Sequence, residues 1–173
     1  KTAWQAADGA RKVVSPVSLI VSAFAPVEDV RRTLTPQLRT DCGDTRLLLV
    51  DLGGGRDRLG GSCLAQVHGR VGREAPDCDD AGRVRNFFDA IVRLRGERLL
   101  LAYHDRSDGG LFVTLVEMAF AGQCGVEVEV SSPGVAKTVA ALFAEELGAV
   151  LQVRAADEAR VLAVLREAGL AGH

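Results

Sequence analysis

Three short apolar runs, each ending abruptly in a polar or glycine-rich loop, most narrowly limit how this chain can fold. They are "TRLLLVDL" (45–52), "RLLLAYH" (98–104) and "AVLQVRA" (149–155). Runs of this length, bounded by turn residues, read as buried strands. Helical spacing fills the intervals between them. "VRNFFDAIVRL" sets Val84, Phe87, Phe88, Ile91 and Leu94 along one helical face. "VAKTVAALFAEEL" reads as another helix, and "DEARVLAVLREAGL" as a last one, capped by Asp157 and stopped by Gly169. Residues 110–121 form a helix with little polar surface, which predicts that it is buried.

Weaker signals complete the layout. "VSLIVSAFAPV" (17–27) reads as a further buried strand, followed by a short helix from about Glu28 to Leu34. "CLAQVHGRV" fits a helix after "LGGS" (59–62), and "GREAPDCDDAG" (72–82) has the composition of a surface loop. "GVEVEV" (125–130) alternates as a half-exposed strand. Strands and helices mostly alternate, but the strands are too few and too irregularly connected for a large doubly wound sheet. The expected class is α+β, an α/β sandwich whose last part is ferredoxin-like, a split β-α-β arrangement. Residues 1–16 are polar around a lone Trp4 and are expected to be a linker or arm, leaving 17–173 as a single domain. Both ends read as cuts in a longer protein.

Composition removes several function classes. Lys and Arg are interspersed with Asp and Glu, and the formal net charge of −2 leaves no basic face for nucleic acid. The longest apolar runs are too short to span a bilayer, so no membrane partner is expected, and the scattered cysteines are read as those of a cytoplasmic protein. Cys42, Cys63, Cys78 and Cys124 lack Cys-x-x-Cys or finger spacing, and are read as reduced thiols rather than zinc ligands.

Two segments carry chemistry. "GRDRLGGS" (55–62) has the spacing of a phosphate loop, but Gly61 stands where that motif needs its lysine. It is not a Walker loop. It reads either as a plain turn or as a set of amides that cradle an anion. "YHDRSDGG" (103–110) is denser in polar groups. Asp108 or Ser107 can cap the following helix, and Gly109 and Gly110 permit a tight turn. A cap needs neither His104 nor Asp105. The same geometry suits a Mg-phosphate site, with helix-start amides and the Ser107 hydroxyl on phosphate oxygens and the Asp105 carboxylate on Mg²⁺. One carboxylate is not enough for such an ion, so further ligands must come from elsewhere. His104 and His68 are read as structural, Cys124 as a small buried hydrophobe, and Glu145–Glu146 as a solvated helix end. No catalytic acid, base or nucleophile is assigned.

"HDRSDGGL", "DLGGGRDRLGGS", "SPVSLIVSAFAPVEDVRRTLTPQL" and "LFAEELGAVLQV", separate motifs that occur along the chain in the family's order, together resemble the phosphoribosylformylglycinamidine synthase family in its large single-chain form. The resemblance runs from Lys1 to about Leu170. It implies an aminoimidazole-ribonucleotide-synthase C-terminal-domain-like fold, matching the C-terminal half of the second such unit of the synthetase. It further implies a part in the ATP-dependent conversion of formylglycinamide ribonucleotide, with glutamine as nitrogen source, to formylglycinamidine ribonucleotide. Asp105 then matches a Mg²⁺ ligand and Ser107 a contact to ATP, or to ADP if the site is auxiliary. The expected partners are other domains of the same chain: the N-terminal half of the unit, which holds the remaining ligands, and the glutaminase. The isolated chain is expected to be inactive. A non-catalytic assembly domain with an auxiliary nucleotide, and another ATP enzyme of the same superfamily, are the alternatives.

Overall fold

The computed structural model describes residues 2–13, 21–130 and 134–170. The chain divides into two compact units, residues 1–33 and 34–173. In the first, strands β1 (Thr2–Ala6) and β2 (Gly9–Val13) form an antiparallel hairpin with Trp4 opposite Arg11. Asp8 and Arg11 pair across its turn.

The strand expected over 17–27 is not formed where it can be seen. Residues 17–20 lie outside the described residues, and 21–27 carry no regular element, with Phe24 95% exposed. An apolar run becomes a strand by finding a ladder partner, and Pro26 also removes one donor. The helix expected from Glu28 shrinks to a single 3₁₀ turn, Val30–Arg32, capped by the Asp29 carboxylate on the Arg31 amide.

The second unit is built on a three-stranded sheet in the order β3-β5-β4: Thr45–Asp51, Gly148–Arg154 and Ala102–Asp105. Both outer strands run antiparallel to β5, so they are parallel to one another with β5 inserted between them. That is the split β-α-β arrangement, and the α+β class follows. Residues Ala149 to Val153 of β5 are all buried, because helices cover both faces of the sheet. On one face α2 (Ala81–Gly96) and α5 (Glu158–Glu167) bring Leu94, Val161 and Leu165 onto Leu48, Val50, Leu151 and Val153. On the other, α3 (Gly110–Gly122) sets Met118 on Ala102 and Val150, beside Leu38. A short helix α1 (Cys63–Val67) and α4 (Val135–Phe143) complete the unit.

Gln152 fixes the approach of the chain to this sheet. Its amide accepts from the Arg39 N–H at 2.8 Å and donates to the Arg39 carbonyl at 2.8 Å and to Thr45 Oγ1 at 3.1 Å. A buried polar side chain is tolerated here because its donors and acceptor are matched.

Three further expectations are corrected. Helix α3 is buried along Gly110, Thr114 and Met118, whereas Phe112, Val116 and Phe120 form an exposed stripe on it. The sheet covers one side of a helix that is apolar on both. Residues 125–130 carry no strand, and Val128 is exposed. Asp157 stands at the start of α5 without a side-chain capping bond, since a 3₁₀ turn over Ala155–Asp157 leads straight into the helix. Gly169 does follow the helix end in the left-handed conformation, at φ +71°.

Candidate functional site

The polar loop 103–110 leaves the sheet at the end of β4, where Asp105 lies opposite Ala149 of β5. Strand alternation continues one residue past the ladder. Ala102 and Arg106 are buried, and Asp105 is turned outward with its side chain 66% exposed. The His104 ring lies between two carboxylates, with Nε2 2.7 Å from Glu117 Oε2 and Nδ1 3.4 Å from Asp105 Oδ1. Ser107 and Asp108 are exposed, and Gly109 and Gly110 are buried.

Arg106 anchors the loop from within. Its Nε donates to the Glu146 carbonyl at 2.7 Å, its Nη2 to the Leu147 carbonyl at 3.0 Å, and its guanidinium pairs with Asp51 at the end of β3. Burial raises the Asp51 pKa, but the Arg106 guanidinium and the amides of Gly55 and Gly53 outweigh it and hold the carboxyl below its ordinary value. The Gly110 amide donates to the Ser107 carbonyl at 2.9 Å. Helix α3 therefore starts from Gly109, at φ +82° and with no side-chain cap, rather than from Asp108 or Ser107 as expected. Gly110 is required by close approach: a Cβ there would lie 2.7–2.8 Å from the backbone at the end of α4, and its φ is +69°.

Glu145 and Glu146, expected to be a solvated helix end, are the hub of this region. Glu146 is fully buried, and Arg58 grips it through Nε and Nη2, both at 2.7 Å, and through its backbone amide at 2.9 Å. Burial raises the Glu146 pKa, yet the Arg58 contacts prevail and lower it overall. Asp79 takes the far side of the same guanidinium at 2.9 Å. Glu145 Oε1 accepts from two amides, those of Cys63 and Gly109, each at 2.8 Å. The sequence does carry a signal for Arg106, which period-2 alternation from Ala102 places inside. It carries none for Glu146, whose partner lies 88 residues earlier.

The glycine segment does not present a free cradle. Asp51 takes the amides of Gly53 and Gly55 at 3.0 and 2.7 Å, while the carbonyls of Glu74 and Val71 take those of Gly60 and Gly61 at 2.6 and 2.7 Å. Ser62 is buried and caps α1 through the Ala65 amide at 3.2 Å. Of the two readings left open for this segment, these contacts favour the structural turn.

Cys63, Asp108 and Glu145 bring one ligand atom each within 4.8 Å of one another. Two amides already take Glu145 Oε1, and hydrogen bonding to Glu145, burial and the nearby carboxylate charges raise the Cys63 pKa. Asp105 and Ser107 do fit part of a Mg-nucleotide site: an outward carboxylate is the hard oxygen donor this ion takes, and an exposed hydroxyl stands two residues away.

The family described as "AIR synthase related protein, C-terminal domain" matches residues 45–172. Similar solved structures come from Thermotoga maritima. A PurL complexed with ATP matches at 13% identity and TM-score 0.56, over 83% of this chain and 23% of that one. The PurLQS structure matches at 14% identity and TM-score 0.59 with the same two coverages. A PurL complexed with FGAR matches at 13% identity and TM-score 0.55, over 83% of this chain and 25% of that one. The likeness is one of fold, and this chain spans about a quarter of each of those chains. Among the described residues, no helix is long and apolar enough to cross a membrane.

Proposed function

We propose, from the premise that this chain belongs to the AIR synthase related protein family through its C-terminal domain, that it supplies part of a Mg-nucleotide site in an ATP-dependent ligase of purine biosynthesis. The substrate conversion proposed is formylglycinamide ribonucleotide to formylglycinamidine ribonucleotide, with glutamine-derived ammonia. One observation carries this reading. The loop that holds Asp105 and Ser107 is fixed from beneath by buried Arg106 while these two side chains face outward.

Mg-ATP, when bound, supplies phosphoryl activation of the formamide oxygen, so that ammonia can attack the carbon. Such chemistry depends on positioning and on metal stabilisation of phosphate charge. In this reading Asp105 would hold the ion through a carboxylate oxygen, and the Ser107 hydroxyl would donate a hydrogen bond to a phosphate oxygen. Neither moves a proton in the reaction. The amides of Gly109 and Gly110 are engaged internally, so the domain offers side chains rather than an amide cradle to the nucleotide. Further ligands, and ammonia from a glutaminase domain, are assigned to other domains of the same protein. The cytoplasm is the proposed location.

The test is turnover by the full-length protein with glutamine and with free ammonia. Asp105→Ala is expected to slow both by at least roughly tenfold, since even outer-shell partners of a metal act on that scale. Ser107→Ala, which removes one neutral hydrogen bond, is expected to cost about fivefold. Normal turnover by both variants contradicts the proposal. Normal turnover after the nucleotide is stripped from this site supports an auxiliary, structural nucleotide instead.

A further inference from the structure

We infer that Glu145 is a positioning residue for the nucleotide loop, holding Ser107 and Asp105 in register with the sheet; the inference rests on the reading of those two residues given above. The loop is clipped at two points that flank Ser107 and Asp108. Arg106 binds the carbonyls of Glu146 and Leu147, and the Gly109 amide binds Glu145 Oε1. Both clips land on three consecutive residues, 145–147, in the link between α4 and β5.

The two clips differ in kind. The Arg106 clip is held by backbone carbonyls together with Asp51, so several contacts share it. The Gly109 clip is a single carboxylate oxygen, and that oxygen also takes the Cys63 amide at the start of α1. Glu145 therefore ties the loop to the end of the glycine segment. Its neighbour Glu146 is locked by Arg58 and pressed against Gly53, where a Cβ would lie 2.6 Å from the carboxylate. With its backbone fixed in this way, the Glu145 side chain stands on a rigid base. Charge-assisted hydrogen bonds of this type set geometry as well as energy. Asp108, with its carboxyl beside Glu145 and Cys63, bonds to no described group on the far side of the loop and does not duplicate the clip.

The measurement is Mn²⁺ binding to the full-length protein in the presence of ADP, followed by the loss of the free-ion electron paramagnetic resonance signal. Thermal midpoints are recorded without nucleotide. Glu145→Ala is expected to bind Mn²⁺ about tenfold more weakly, at a temperature where it is fully folded. Glu145→Gln keeps an acceptor oxygen and is expected within about threefold of the parent. A merely structural role would lower the midpoint of Glu145→Ala and leave affinity unchanged, which overturns the inference. Should Glu145→Ala fail to fold, Glu145→Asp decides in its place. It keeps the charge but falls one methylene short of both amides, and parent-like affinity in it overturns the inference. Asp105→Ala separates the two levels. If it binds Mn²⁺ normally, the site itself is misplaced and the inference falls with it. If it binds poorly while Glu145→Ala binds normally, the inference alone fails.

Discussion

Arg58 and Arg106 each carry a guanidinium into the interior, where Glu146 and Asp51 respectively meet it. Removing one partner of such a pair costs more than the pair contributes, because the other charge is left buried. Glu146→Ala is accordingly expected to cost about 3–5 kcal/mol, measured as a shift in urea midpoint. Both carboxyls have folded-state pKa values below their ordinary ones. Their stabilisation is therefore complete above the unfolded values near pH 4 and is lost as pH falls through the lower folded values. Urea midpoints should hold steady from neutral pH to about pH 5 and fall below about pH 4. Midpoints that begin to fall above pH 5 would contradict the assignment. Gly110→Ala combines a left-handed φ with a Cβ driven into the end of α4, and is expected to cost about 2–4 kcal/mol. The outward Asp105 and the turn glycines were legible in the sequence, since a strand end followed by polar residues and glycines dictates them. The inward Arg106 follows from strand alternation, counted in twos from Ala102.

Among the elements, the apolar runs 45–52, 98–104 and 149–155 all contribute strands, because buried β5 needs continuous apolar residues and its two neighbours need the same faces. Their limits shift where a competing bond wins. Leu99 sits within the run "RLLLAYH", but its amide closes the end of α2 on the Leu94 carbonyl, and the ladder begins at Ala102. Helix α3 is apolar almost all round, with Thr114 and Glu117 its polar residues, so its periodicity gives little hint of which face meets the sheet. The structure leaves Phe112, Val116 and Phe120 outside, with Phe120 85% exposed. Phe120→Ser is expected to reduce binding of an apolar dye to the isolated chain while shifting the thermal midpoint by no more than about 2 °C. A large drop in midpoint would show that this ring supports the core.

At the scale of the whole molecule, the second unit joins segments that the sequence keeps far apart. Arg58 reaches Glu146 across 88 residues, and Cys63 reaches Glu145 across 82. Sequence patterns report local periodicity, so this hub was invisible before the fold brought the glycine segment, the polar loop and the end of α4 together. What the loop offers outward remains small: the carboxylates of Asp105 and Asp108 and the Ser107 hydroxyl. On the proposed function this is half of a Mg-nucleotide site, and half a site should bind little by itself. The direct test is calorimetric titration with Mg-ADP and Mg-ATP of three proteins: this isolated chain, the full-length protein, and full-length Asp105→Ala. The account predicts no measurable binding to the isolated chain, clear binding to the full-length protein, and its loss or at least roughly tenfold weakening in Asp105→Ala. Unchanged binding in that variant, or tight binding to the isolated chain, would contradict it.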